Sequence, residues 1–176
     1  MDCGLRRPYS LRMEEYAEIS HKAFKFLISK CPTDKSIETY VRELQKRNVK
    51  AVVRVCKPTY DTEPLARAGI RVYDLTIEDG ASPSEGILEK FFDILKGQYY
   101  ENPESCIAVH CIAGLGRAPV LIAVALIELG YSYDDAVELI RTKRRGAINA
   151  KQLDFLAKYK PKSRLKEGRK RSCCVQ

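Results

Sequence analysis

The stretch from Ile107 to Gly130 constrains the fold more than any other part of the chain. It opens with an apolar run of β type, Ile107-Ala108-Val109, and closes with Val120 to Leu129, which is apolar on almost every side. A helix with no polar stripe has to be enclosed by other elements, so this one predicts the centre of a core. Between the two runs lies His110-Cys111-Ile112-Ala113-Gly114-Leu115-Gly116-Arg117, with glycines at 114 and 116. A strand, a tight turn and a helix N-terminus thus follow one another within about two dozen residues. That order belongs to α/β folds.

The remaining chain reads in the same way. Alternation of Phe24, Phe26 and Ile28 predicts one short strand within Ile19 to Ile28. Thr33 or Asp34 then caps a helix to about Arg47, with Ile37, Tyr40, Val41 and Leu44 on one face. Ala51 to Val55 and Ile70 to Ile77 read as strands. Ser82, Pro83 and Glu85 form a helix start of capping-box type, and Ile87, Leu88, Phe91, Phe92 and Leu95 turn inward behind it. Two further helices are predicted from Ser132 to Arg144 and from Asn149 to Lys158, the second with Gln152 three residues after its cap. Alternating strands and helices predict an α/β fold whose central, mostly parallel sheet carries helices on both faces. The boundaries expected are an N-terminal extension at 1–18, one domain at 19–160 and a basic tail at 161–176.

Ligands of such sheets gather outside the carboxyl ends of the strands. Cys56, Asp79 and Cys111 each follow a predicted strand and are expected on that one rim. In the loop after Val109, Gly114 and Gly116 permit positive φ, and the N–H groups of Ile112, Ala113, Gly114, Leu115 and Gly116 with the helix N-terminus make an anion site. Arg117 adds a planar fork that can hold two oxygens of one phosphate. Cys111 starts the turn in this positive field, which favours a thiolate nucleophile. The plainer reading, a buried cysteine and a surface arginine around an ordinary loop, accounts for neither the glycines nor their spacing. A phosphate ester also needs a proton donor for its leaving oxygen. Glu78 and Asp79 both sit in a turn before Gly80, and the residues alone do not choose between them. The loop has no lysine, so its apolar lip suits aryl phosphates such as phosphotyrosine better than polyphosphates. His110 reads equally well as an orienting group or as a satisfied buried histidine. Arg141, Lys143, Arg144 and Arg145 read as cations complementing a helix C-terminus.

Cysteine and charge usage bound the rest. The seven cysteines form no CxxC pair, and with only two histidines their spacing argues against a structural zinc site; no metal and no cofactor are expected. Without a signal peptide, a reducing compartment and free thiols are the default. Of the net charge of +8, eight cations from Lys158 onward against Glu167 supply nearly all, which argues against a nucleic-acid groove on the domain. The longest apolar run is far shorter than the ~20 residues that cross a bilayer. Cys173-Cys174-Val175-Gln176 fits a C-a-a-X box, predicting farnesylation of Cys173, loss of the last three residues and carboxyl methylation. One lipid beside Arg164, Lys166, Arg169, Lys170 and Arg171 gives stable attachment to anionic membrane. A nuclear-localisation run explains the cations but not the terminal cysteine.

His110-Cys111-x5-Arg117 is the signature loop of cysteine-dependent protein phosphatases. With Ala118-Pro119 after it, Arg54-Val55-Cys56, Thr59-Tyr60-Asp61, Lys143 to Asn149 and Tyr159-Lys160-Pro161-Lys162, the chain resembles the phosphatase-of-regenerating-liver (PRL) family of small prenylated phosphatases. The resemblance implies a dual-specificity-like phosphatase fold, a phosphorylated protein substrate and a phosphocysteine intermediate. It favours Asp79 as general acid and matches Cys56 to a cysteine that forms a protective disulfide with Cys111. Ala118, which the family shares, stands where most related phosphatases carry serine or threonine, and implies slow release of phosphate. Leu75-Thr76-Ile77 departs from the family's Trp-Pro-Phe, which leaves open how the acidic loop closes. The resemblance further implies the cytoplasmic face of plasma or endosomal membranes, with cytoplasm or nucleus for the unprenylated form. It also carries an alternative, a phosphatase-fold binding module engaging CNNM-family magnesium transport mediators.

Overall fold

A computed structural model describes residues 15–165. The described residues open with a hairpin, β1 (Tyr16–His21) antiparallel to β2 (Phe24–Ser29), where a single strand was expected. Its turn is held at Lys22, with φ 53°, without a glycine or asparagine to announce it. Strand pairing therefore starts at Tyr16, inside the stretch expected to be a loose extension to residue 18.

Next come α1 (Ile37–Lys46), β3 (Val49–Arg54), the short α2 (Glu63–Arg67), β4 (Arg71–Asp74) and α3 (Glu85–Glu101). After these come β5 (Cys106–His110), α4 (Arg117–Glu128), α5 (Tyr133–Lys143) and α6 (Ala150–Lys158). The five-stranded sheet has the order β1-β2-β5-β3-β4, parallel at every pairing except β1 with β2.

Alternation along the strands divides the core. Phe26, Ile28, Ala51, Val53, Ile107 and Val109 belong to one apolar layer with α3 to α6, whereas Leu27, Val49, Val52 and Ala108 meet α1 and α2 on the opposite face. Every residue of α4 is buried, as its unbroken apolarity requires. Two caps differ from the reading above. Ser36 precedes α1, with Thr33 N–H donating to its Oγ at 2.9 Å, and Ser84 rather than Ser82 caps α3 by accepting from Ile87 N–H. The capping box of Asn149 and Gln152 is present as expected.

The folded body also runs past residue 160. Glu128, buried at the end of α4, accepts from Tyr159 Oη at 2.6 Å, Lys162 N–H at 2.9 Å and Arg164 N–H at 2.7 Å. Arg164 also pairs with Glu85 and lies over the Phe92 ring, and Leu165 is buried. The first residues of the expected tail are thus part of the domain. The cations from Lys166 to Arg171 and the C-a-a-X cysteine Cys173 lie outside the described residues.

Candidate active site

Strand β5 is central, and its carboxyl end delivers Cys111, buried at the mouth of the turn. Four consecutive carbonyls of the turn are held by donors from the surrounding body. Ile112 O accepts from Cys31 N–H at 3.1 Å and Leu115 O from Ile148 N–H at 2.7 Å. Arg144 takes the two between, Ala113 O at 2.8 Å through Nη2 and Gly114 O at 3.1 Å through Nε. A planar trans peptide points its N–H away from its C=O, so these contacts turn the N–H groups of residues 113 to 116 the other way. The result is a concave ring of amide donors at the N-terminus of α4, suited to an anion.

The two glycines serve different needs. Gly114 has φ 69°, and a Cβ there would stand 2.6 Å from Ser29 O and 2.9 Å from Arg144 Nη2. Gly116 does not have the positive φ expected of it; φ is −119°. It is small because the Gln152 amide nitrogen would lie 3.3 Å from a Cβ.

Arg144 corrects the helix-dipole reading of the basic cluster. It lies beyond the last residue of α5, is 1% exposed and ranks among the largest fully buried side chains of the described residues. Burial pushes its pKa below the ordinary arginine value, against the opposing influence of Cys111.

Arg117 opens α4 with its side chain mostly buried. Its Nη1 donates to Ile77 O at 3.2 Å, and its Nη2 pairs with Asp79 Oδ1 at 3.0 Å. The carboxylate of Asp79 is otherwise open to solvent, 92% exposed. The chain reaches this point by running on beside β3. Leu75 N–H donates to Arg54 O at 2.9 Å and Ile77 N–H to Val55 O at 3.1 Å, and both side chains are buried while Thr76 is exposed. Leu75 and Ile77 thus hold the acidic turn by plain β-type burial. Beyond it, Asn149 Nδ2 donates to Gly80 O at 3.3 Å and Gln152 Nε2 to Ala81 O at 3.1 Å. The capping residues of α6 therefore position the acidic turn, and Gln152 also lies close against Gly116.

His110 is fully buried. Its Nε2 is 2.7 Å from Tyr60 Oη, and its Nδ1 is 3.4 Å from Cys111 O, which satisfies and orients the ring at once. Tyr60 is fixed in turn by Arg54, whose guanidinium lies 4.7 Å from the ring centroid and donates to Tyr60 O at 3.2 Å. Arg54 also makes a two-point pair with Asp74, at 2.6 and 3.0 Å. Cys56 follows β3 and is buried. Its sulfur, that of Cys31 and a His110 ring nitrogen all lie within 4.8 Å of one another. Sequence spacing gave no sign of this grouping, because its members come from the ends of three different strands. Cys31, Cys56, Cys106 and Cys111 are all free thiols, and Cys106 is buried within β5.

Comparisons with known proteins show which family and fold the chain resembles. The family described as "Polymorphic toxin system, DSP-PTPase phosphatase" matches residues 9–131. The chain is 59% identical over 162 residues to the "PRL-1 phosphatase" of Drosophila melanogaster, covering 91% of this chain and 92% of that one. It is 49% identical over 162 residues to the human "Protein tyrosine phosphatase type IVA 3", covering 90% and 94%. Among solved structures, a putative protein tyrosine phosphatase from Leishmania major superposes with a TM-score of 0.73 at 41% identity, covering 82% of this chain and 98% of that one.

Proposed function

Because the chain belongs to the PRL family of cysteine-dependent protein tyrosine phosphatases, we propose that its residues divide the reaction as follows. The Cys111 sulfur attacks phosphorus, and an S–P bond forms as the P–O bond to the leaving group breaks. Asp79 gives its proton to the departing oxygen. Arg117 and the amides of residues 112 to 116 hold the phosphoryl oxygens. Water then attacks phosphorus, Asp79 takes a proton from it, and phosphate leaves with the thiolate restored. The observation that carries this reading is the 3.0 Å contact between Arg117 Nη2 and Asp79 Oδ1, which puts the acidic turn against the phosphate fork. Replacing Asp79 by Ala should slow single-turnover cleavage of aryl phosphates, more steeply for poorer leaving groups, while Glu78→Ala leaves that dependence unchanged. A steeper dependence in Glu78→Ala, or none in Asp79→Ala, refutes the assignment.

The substrate class proposed is phosphotyrosine in proteins, supported by the apolar lip at Ile112, which is 53% exposed. Turnover is slow because Ala118 has no hydroxyl to assist the departing sulfur. A regulatory disulfide between Cys56 and Cys111 is favoured by their places on neighbouring strands, where Arg54 and His110 are register partners. Farnesyl at Cys173 with the basic tail holds the enzyme at the cytoplasmic face of plasma or endosomal membranes. CNNM-family magnesium transport mediators are the proposed protein partner. This partnership rests on the family resemblance and uses the same pocket.

A further inference from the structure

The ends of β2, β3 and β5 bring together three groups that phosphate transfer as described above does not use together. Cys31 lies two residues beyond Ser29 of β2, Cys56 two beyond Arg54 of β3, and His110 ends β5, which runs between them. Both sulfurs and an imidazole nitrogen are within 4.8 Å of one another. Cys31 is partly exposed and borders a surface hollow with Ser29, Lys30, Pro32 and Tyr40, so the group is open to solvent on one side.

We propose that Cys31, Cys56 and His110 form a binding site for zinc. Two sulfurs and one imidazole are a soft donor set that suits this ion. Tetrahedral zinc, with bonds of about 2.3 Å to sulfur and about 2.0 Å to nitrogen, holds its donors roughly 3.5 Å apart. The three groups need only to draw in by about 1 Å. The fourth position faces Thr59, whose Oγ1 is 3.3 Å from Cys31 Sγ, and can take the hydroxyl or a water.

Sheet geometry favours an ion over a direct Cys31–Cys56 disulfide. With β5 between them, β2 and β3 are two spacings apart, roughly 9–10 Å, whereas a disulfide needs its Cα atoms within about 7 Å. A metal bridges the wider gap. Cys31 already leans toward the thiolate. Hydrogen bonding from the Cys56 thiol, helped by His110 and Thr59, outweighs the cost of its burial and holds its pKa below the ordinary thiol value. Cys56 is pushed up by the same neighbour, and its proton passes to solvent as the ion binds. For His110, the tautomer with Nδ1–H toward Cys111 O leaves the Nε2 lone pair, now facing Tyr60 Oη, for the metal. The Tyr60 hydroxyl gives up that bond when the ion arrives. An occupied site sits one residue from Cys111 and ties up Cys56.

The test uses the full chain with Cys3→Ser, Cys173→Ser and Cys174→Ser, reduced with a phosphine and titrated with Co²⁺. Expected is a 1:1 complex with a sulfur-to-cobalt band in the near-ultraviolet and intense tetrahedral bands in the visible, displaced by an equivalent of Zn²⁺. Adding Cys111→Ser should leave the spectrum in place. Adding Cys31→Ala, or separately Cys56→Ala, should weaken binding more than ~10-fold, since even outer-shell changes cost that much. Circular dichroism checks that each variant is folded, and either alone decides the matter. Bands that survive loss of Cys31 and Cys56 overturn the proposal, as do bands lost only with Cys111, which place the ion on the catalytic thiol. A weak octahedral spectrum without a sulfur band overturns it too. None of these readouts depends on phosphatase activity.

Discussion

Arg144 offers a strong test of how the phosphate loop is shaped. The residue is 1% exposed, and its guanidinium spans the Ala113 and Gly114 carbonyls at 2.8 and 3.1 Å. Replacement by methionine keeps much of the volume and removes both donors. Hydrogen bonds from a charged donor are worth about 1.5–3 kcal/mol each, but the variant also avoids burying a charge, so the net loss of stability should be about 1–3 kcal/mol. Function should suffer more. With two of the four carbonyl anchors gone, the peptides on either side of Gly114 can rotate, and the N–H groups of Gly114 and Leu115 no longer hold their aim. A misplacement of about 1 Å near reacting groups costs on the order of 10²-fold. The assay pairs urea unfolding with single-turnover release of phenolate from an aryl phosphate, at a temperature where both proteins are folded. The first step should slow by roughly 10- to 100-fold, with Arg144→Lys between wild type and methionine. If unfolding energetics shift while the first step keeps its wild-type rate, Arg144 is a packing residue and does not shape the loop.

Gly114→Ala should destabilise the fold by more than about 2 kcal/mol and abolish phosphate binding, because a left-handed φ costs ~1–2 kcal/mol before the 2.6 Å approach to Ser29 O is relieved; chemical denaturation and phosphate titration check it. Ala118→Ser should speed steady-state turnover by roughly 10- to 100-fold, the worth of one hydrogen bond to a departing charge, with little change in the first step. Glu128 carries the pH prediction. Burial alone raises its pKa, but the Lys162 and Arg164 N–H groups, the Tyr159 hydroxyl and the Arg164 charge outweigh that and hold it below the usual carboxylate value. A depressed folded-state pKa contributes stability above the unfolded value of about 4.3, and this is lost as pH falls through the folded one. Unfolding scans from pH 7 to pH 3 should therefore show a smaller acid loss for Glu128→Gln than for wild type, and an equal loss would contradict the assignment.

The strand, turn and helix around Cys111 were legible in sequence because their determinants are contiguous: an apolar strand, glycines and an apolar helix within one stretch. Helix α6 was legible for the same reason, its capping box being local. The opening hairpin was not, since Lys22 takes a positive φ where a turn signal would place glycine or asparagine. Helix α2, only five residues long and starting at Glu63-Pro64, is too short to show a periodicity. Arg144 looked like a surface cation because sequence gives no measure of burial, and nothing local marks the carbonyls it reaches 30 and 31 residues earlier. That Asp79 rather than Glu78 pairs with Arg117 was likewise hidden, being a contact between the acidic turn and the distant start of α4. Long-range convergence at the sheet rim also hid the grouping of Cys31, Cys56 and His110.

In the proposed reaction Cys111 carries the phosphoryl group and gives it up slowly. Rapid mixing of reduced enzyme with an aryl phosphate, at known active concentration, tests it most directly. Expected are a burst of one equivalent of phenolate, a much slower steady phase, phosphate recovered on the peptide bearing Cys111, and no burst in Cys111→Ser. Steady release without a burst, or a burst that persists in Cys111→Ser, would contradict it.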